Sequence, residues 1–328
     1  MKTFKLTNKE AQDVADLYDL GKVKSFELFS GGLVNYNYGL KTNKGSYVLR
    51  IIGHKVNEQK MQKLLLEKDV LLFLKESKFP YEIPVPLISK KGEYHSKFKG
   101  TILWVYRMLD GHHIKSYNEP KVIKEVAKAI AIYHKHIKKF KTTKFNKYDF
   151  NLDWLSHKYS EIGDRLNNLK RLNNLDKLVK ENYKLFNEML GNIKRINFKV
   201  EVIIAHGDIN QDNTLFNEDK LTGILDFDNL KFAPKSEDIA YALRLLCPSS
   251  TDGVNKKSMN LFLKEYRKIM PLSKKEEKLL IPLMIRGTIL VLWWMYMEME
   301  KGQDKKYKMI EWNIMQTKNL AKQIGWLK

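Results

Sequence analysis

The stretch HGDINQDNTLF, residues 206–216, places a histidine, a glycine and a run of acidic and amide side chains between two apolar segments. EVIIA (201–205) precedes it, and GILDFDN (223–229) follows, with Asp226 eighteen residues after Asp208. Short apolar runs bounded by polar turns read as strands. The polar residues therefore fall at strand ends, either as an ordinary polar turn or as a site. The chemistry favours a site. Asp208 follows a buried strand, Asn213 comes five residues later, and a hairpin of this length returns Asp226 close to Asn213. Asn213 and Asp226 offer two oxygen ligands to a hard cation, and Mg²⁺ typically takes one or two such ligands and completes its octahedron with water and phosphate oxygens. Asp208, with no metal to hold, is free to orient and deprotonate a hydroxyl. Positioning, charge neutralisation and one base are what phosphoryl transfer requires.

Outward from this stretch the chain has two characters. Residues 1–105 alternate β-type runs with turn signals. VKSFELFS runs into Gly31-Gly32, and NYNYGLKT and SYVLRII are separated by the hairpin signal NKG. EQKMQKLLLEKDVLLFLKES carries Met61, Leu64, Leu65, Leu71 and Leu74 at helical spacing. TILWVYRML reads as a further strand. After DGHH the pattern turns helical. An amphipathic helix begins near Pro120, which suits a first turn. Helical patterns continue at about 153–190, 236–247, 258–270, 274–299 and 306–326. The expectation is an α+β protein: a small sheet-plus-helix lobe (1–105), a hinge (106–111) and a larger, mainly helical lobe (112–328).

HGDINQDN followed by LDFDN resembles the catalytic core of the aminoglycoside phosphotransferase and choline kinase superfamily, which includes homoserine kinase type II-like members and has a protein-kinase-like fold. That family shows H-x-D-x-x-x-x-N, then a strand ending in an Asp that holds Mg²⁺. His206, Asp208, Asn213 and Asp226 match at that spacing. FSGGLVNYNYGL is similar to the family's phosphate loop, YVLRI to its nucleotide strand, AIAIYHKH to its helix ending in A-x-x-H, and SEDIAYALRLL to the segment whose Asp braces the catalytic loop. The resemblance implies an ATP-dependent kinase acting on an alcohol group. Asp208 is its base, and Asn213 and Asp226 hold Mg²⁺. Ser30, Gly32 and Asn35 lie near the nucleotide, Arg50 steadies the phosphates, and Glu67 holds Arg50. The Arg107 carbonyl and the Leu109 N–H receive the base. His206 reads as a brace of the loop. Asp228 is open between a metal role and a turn role. Read without the resemblance, SGGLVN is a hairpin turn, Arg50 a surface arginine and Glu67 an exposed helix charge.

Composition bounds the alternatives. The net charge of +21 is spread through nearly every segment, which suits a solvated lysine-rich surface and not a nucleic-acid-reading element. The most apolar stretch, IPLMIRGTILVLWWMYMEME, has a longest charge-free run of eleven residues (287–297), short of the roughly 20 that span a bilayer, so it reads as a buried helix. Trp293, Trp294 and Tyr296 on it read as core, with one face available as a pocket wall. His112-His113 and His134-x-His136 lack zinc spacing. Cys247 is the lone cysteine, which fits a reducing compartment, and the expected location is cytoplasmic. The expected partners are ATP and a small hydroxyl acceptor (amino alcohol, hydroxy amino acid or amino sugar), with neither nucleic acid nor membrane. Residues 229–328 hold 19 Lys+Arg against 10 Asp+Glu, a poor lining for a polycationic antibiotic, whose amines each need a partner when desolvated. An antibiotic-inactivating phosphotransferase and a catalytically weak kinase-fold binding protein are the alternatives.

Overall fold

The computed structural model describes residues 4–29, 35–53, 56–142, 152–298 and 303–327. In chain order these residues form α1 (Asn8–Leu17), β1 (Val23–Leu28), β2 (Asn35–Thr42), β3 (Ser46–Ile52), α2 (Glu58–Glu76), β4 (Ser96–Phe98), β5 (Thr101–Arg107) and α3 (Pro120–Ile137). Then come α4 (Leu152–Asn168), α5 (Asn174–Lys194), β6 (Val202–Ala205), β7 (Thr214–Asn217), β8 (Lys220–Ile224), β9 (Lys231–Pro234), α6 (Ser236–Leu246), β10 (Pro248–Ser249) and β11 (Gly253–Val254). The chain closes with α7 (Lys256–Arg267), α8 (Lys274–Lys278), α9 (Leu280–Met297) and α10 (Gln303–Gln323).

Two compact units emerge. The first comprises Met1–His113 and Asn213–Leu230. Its antiparallel sheet has the order β1-β2-β3-β5-β4. The NKG turn closes β2 onto β3, with the Thr42 N–H donating to the Gly45 carbonyl at 2.9 Å and Gly45 at φ 144°. β3 is central and almost wholly buried, so its two faces serve two cores. Tyr47, Leu49 and Ile51 face a cluster with Val14, Tyr38, Leu103 and Val105. Ile52 faces Leu64, Ile102 and Trp104, with Met61 packed alongside. Arg50 shares this second face by strand alternation.

The hairpin β7–β8 belongs to the first unit although it lies far along the chain. The sequence reading grouped all of 112–328 together, whereas the backbone around 213–230 is tied to residues near 82 and 112. The Glu82 N–H donates to the Thr222 carbonyl at 2.8 Å, and the Ile224 N–H donates to the Glu82 carbonyl at 2.9 Å. His112 and Phe216 exchange backbone hydrogen bonds of 3.0 and 2.9 Å.

The second unit comprises Ile114–Asp212 and Lys231–Lys328. The helical pattern of 153–190 is two helices: α5 starts afresh from a capping box in which Asn173 and Asp176 exchange side-chain-to-backbone bonds. Likewise 274–299 divides into α8, capped by Ser273, and α9. α9 is long and apolar, yet two-thirds of the apolar stretch it lies in is buried against protein. It packs on α6 and α10, as a core helix does.

Candidate active site

The first unit holds a charged cluster around Arg50. Arg50 faces Glu67 because α2 places Glu67 on its buried side with Leu64, Val70 and Leu71. Arg50 Nη1 donates to Glu67 Oε1 at 2.5 Å, and both side chains are buried. The guanidinium lies 5.3 Å from the Trp104 ring centroid, across the β3–β5 pairing. Its Nη2 stands 3.2 Å from Asp228 and 3.8 Å from Asp226. Burial works against the charge of Arg50, but Glu67, Asp228 and Asp226 more than offset it and raise its pKa. Burial pushes Glu67 up to about 7, against the opposing pull of Arg50. Burial also acts to raise Asp228, but Arg50, Lys60 and a bond from Asn35 prevail and hold it below the usual carboxylate range.

Asn35, expected near the nucleotide, donates from Nδ2 to Asp228 at 3.1 Å. Asp228, left open by the sequence, is therefore part of this cluster and closer to Arg50 than Asp226 is. Asn213 and Asp226 are brought together at the base of the β7–β8 hairpin, where the Leu225 N–H donates to the Asn213 carbonyl at 2.8 Å. Asp226 adopts the left-handed conformation (φ 57°, ψ 74°). Asp tolerates that region better than most residues, at a cost of roughly 1–2 kcal/mol. Its carboxylate is 41% exposed, unlike those of Glu67 and Asp228. Arg107 ends β5 opposite Tyr47, with its guanidinium 6.0 Å from the Tyr47 ring centroid. Leu109 lies two residues on, next to Asp110, whose N–H donates to Glu82 at 3.1 Å. Ser30 and Gly32 lie outside the described residues.

The donor set suits a hard divalent cation. Three carboxylates surround one guanidinium within 4.0 Å, and the most exposed one, Asp226, follows Leu225, whose N–H bonds to the Asn213 carbonyl. Two such oxygen ligands leave room for phosphate oxygens and water. No group of three or more His, Cys, Asp or Glu side chains suited to a closed protein-only metal cage occurs among the described residues.

The second unit holds Asp208 in a braced loop. His134 on α3 is fully buried, with Nε2 3.0 Å from Asp238 and Nδ1 2.8 Å from the Tyr266 hydroxyl. Asp238, in the first turn of α6, accepts the backbone N–H of His206 at 2.9 Å and that of Gly207 at 2.7 Å. Burial raises Asp238, but His134, His206 and the Gly207 N–H outweigh it and hold its pKa low. His206 is buried, and its Nδ1 accepts the Asp208 N–H at 3.3 Å. His206 is thus a brace, as expected. Gly207 sits at φ 82°, where a Cβ would be strained.

Asp208 itself is half-buried. Its Oδ1 accepts the Tyr241 hydroxyl at 2.5 Å and Asn210 Nδ2 at 2.7 Å. Burial, with the Asp208 charge beside it, raises the Tyr241 pKa, so the phenol stays protonated and donates. Arg244 lies with its guanidinium 5.4 Å from the Tyr241 ring centroid. The sequence reading did not single out Tyr241 or Arg244. The available signal was the spacing 238, 241, 244 on α6, which keeps both near the bracing Asp238 face. Trp293 and Tyr296 are core: their polar atoms bond to Glu161 at 3.1 Å and Asp176 at 2.7 Å.

The class of protein this defines is an ATP-dependent phosphotransferase of protein-kinase-like fold acting on small-molecule hydroxyls. The sequence profile of the phosphotransferase enzyme family matches residues 25–272. The chain belongs to this family. A homoserine kinase of Agrobacterium fabrum (strain C58) is 25% identical over 285 residues, covering 87% of this chain and 83% of that one. The solved amicoumacin kinase, in complex with AMP-PNP, Ca²⁺ and Ami, superposes with a TM-score of 0.72 at 14% identity, over 95% of this chain and 92% of that one. A microcompartment-associated aminopropanol kinase superposes with a TM-score of 0.68 at 14% identity, over 98% and 99%. A divalent cation accompanies the nucleotide in such kinases.

Proposed function

We propose that the protein moves the γ-phosphate of Mg·ATP to the hydroxyl of a small alcohol bearing at most one amine. The observation that carries this reading is the state of Asp208: its carboxylate already accepts a phenolic O–H at 2.5 Å. An acceptor alcohol presents the same group to the same oxygen, and a carboxylate so placed orients the nucleophile and takes its proton. Asn213 and Asp226 would hold Mg²⁺, which neutralises charge on the transferring phosphate when bound. Arg50, fixed by Glu67, steadies the nucleotide phosphates. The Arg107 carbonyl and the Leu109 N–H receive the base, with Ser30, Gly32 and Asn35 near the phosphates. The location we assign is cytoplasmic, in keeping with a single buried, unpaired cysteine.

The basic excess of residues 229–328 supports a small acceptor over a polycationic one. The test is ADP release on a panel of L-homoserine, 3-amino-1-propanol, choline, a hexosamine, kanamycin and gentamicin. Turnover of a single-amine alcohol without turnover of the two antibiotics is expected. A micromolar KM for kanamycin or gentamicin with no turnover of the small alcohols would overturn the reading.

A further inference from the structure

A buried guanidinium is costly unless carboxylates or other acceptors face it. The arginines that are buried outright obey this rule: Arg50 pairs with Glu67, and Arg286 pairs with Glu237 at 2.7 Å. Arg244 is half-buried and stands outside it. No carboxylate lies within 4.0 Å of it among the described residues. Its Nε is buried and has no hydrogen-bond partner among them. Desolvation pulls the Arg244 pKa below the usual guanidinium value, and Tyr241 and Asp208 offset this only in part.

The space beside Arg244 is open. A Cβ built on Gly287 of α9 would meet Arg244 Nε at 3.9 Å and nothing else within 4 Å. Gly287, Leu290, Val291 and Trp294 follow one another at helical spacing along α9, and all four are only half-buried. Arg244 stands three residues after Tyr241, the residue that touches the catalytic carboxylate. Side chains so spaced on a helix lie about 5–6 Å apart. An acceptor whose hydroxyl meets Asp208 therefore needs an anionic group only about one helical turn away to reach the guanidinium.

We propose that Arg244 binds a carboxylate of the acceptor, so that the substrate is a compact hydroxy acid, of the hydroxy amino acid class, in preference to an amino alcohol or amino sugar. This rests on the small-alcohol kinase reading above. The guanidinium fork matches a carboxylate bidentately, and such charge-assisted bonds are the strong ones in a partly desolvated site. Arg244 is then a specificity residue, and its loss acts on substrate affinity and not on the chemical step.

Two acceptors that differ only by the carboxylate test this: L-homoserine and its decarboxylated counterpart, 3-amino-1-propanol. The wild-type protein is expected to prefer L-homoserine. Arg244→Met should raise the KM for L-homoserine on the order of 10–100-fold, leaving kcat and the KM for 3-amino-1-propanol nearly unchanged. Arg244→Lys should fall between, because it keeps the charge and loses the fork. Gly287→Asp keeps Arg244 but gives it an internal carboxylate; it should raise the same KM and carries the test if Arg244→Met unfolds on thermal melting. Equal use of the two alcohols by the wild type, or an equal loss on both in the variants, would overturn the proposal while leaving the small-alcohol reading standing. Turnover of neither alcohol would overturn the proposal, and the choline, hexosamine and antibiotic arms of the panel above would then decide the small-alcohol reading.

Discussion

The Arg50 cluster and the Asp208 loop are built on opposite charge logic. Around Arg50, three carboxylates face one guanidinium, and the most exposed of them, Asp226, is held in a left-handed turn. That excess of oxygen suits a cation that arrives with the nucleotide. Around Asp208, a single carboxylate lies near an arginine that has no ion-pair partner among the described residues. That arrangement suits a ligand that brings its own anion. One region is short of positive charge and the other offers an unused one, which is what a two-substrate enzyme needs when a metal–nucleotide complex and an acceptor are recognised by separate groups.

The comparison can be broken at its most buried point. Arg50→Ala leaves Glu67 and Asp228 facing each other in a dry site, and breaking a buried pair from one side costs about 3–5 kcal/mol. Chemical denaturation should show a loss of that size. A loss under about 1 kcal/mol would mean that the cluster is not held by charge.

The two regions should also answer differently to pH. Glu67 is pushed up to about 7 from an ordinary value of 4.5. The unfolded chain releases that proton first, so the nucleotide-free protein loses stability from this group as pH rises from about 4.5 to about 7. Asp238 is held below 3.8. It contributes stability above that value, which is lost as pH falls through its lower folded pKa. Glu67→Gln should flatten the first slope and leave the second. Asp238→Asn should flatten the second and cost about 1.5–3 kcal/mol, since bonds to a charged group are weakened. Identical pH profiles for wild type and variants would contradict the assignments.

The smallest expected effect sharpens the claim of open space. Gly287→Ala adds a Cβ at ordinary contact distance in a helix, and should raise stability by about 0.5–1 kcal/mol. A marked destabilisation would show that the face beside Arg244 is closed.

Much of this was legible in the sequence where chemistry and local period agree. The H-x-D-x-x-x-x-N spacing singles out Asp208 and Asn213, whereas Arg50 and Glu67 came only from the resemblance: read alone they are a surface arginine and an exposed helix charge, and the structure buries both. Asp228 was harder, because nothing in LDFDN distinguishes a turn aspartate from one that meets Arg50 and Asn35. Tyr241 and Arg244 escaped notice because on an amphipathic helix they look like ordinary boundary residues. Only the tertiary placement of α6 under the 206–210 loop gives the phenol its carboxylate and leaves the guanidinium without one. The grouping of 213–230 with the first unit was likewise invisible, since it depends on backbone bonds to Glu82 and His112.

The central claim is that the nucleotide and the acceptor are handled by separate groups. Titration calorimetry of Mg·ATP into Asp208→Asn and Asp226→Ala, with kcat measured on the same preparations, tests it most directly. Asp208→Asn is expected to bind Mg·ATP as the wild type does while kcat falls by roughly 10²–10⁴-fold, and Asp226→Ala to lose Mg²⁺-dependent ATP binding. An unchanged kcat in Asp208→Asn, or full retention of Mg²⁺-dependent binding in Asp226→Ala, would contradict it.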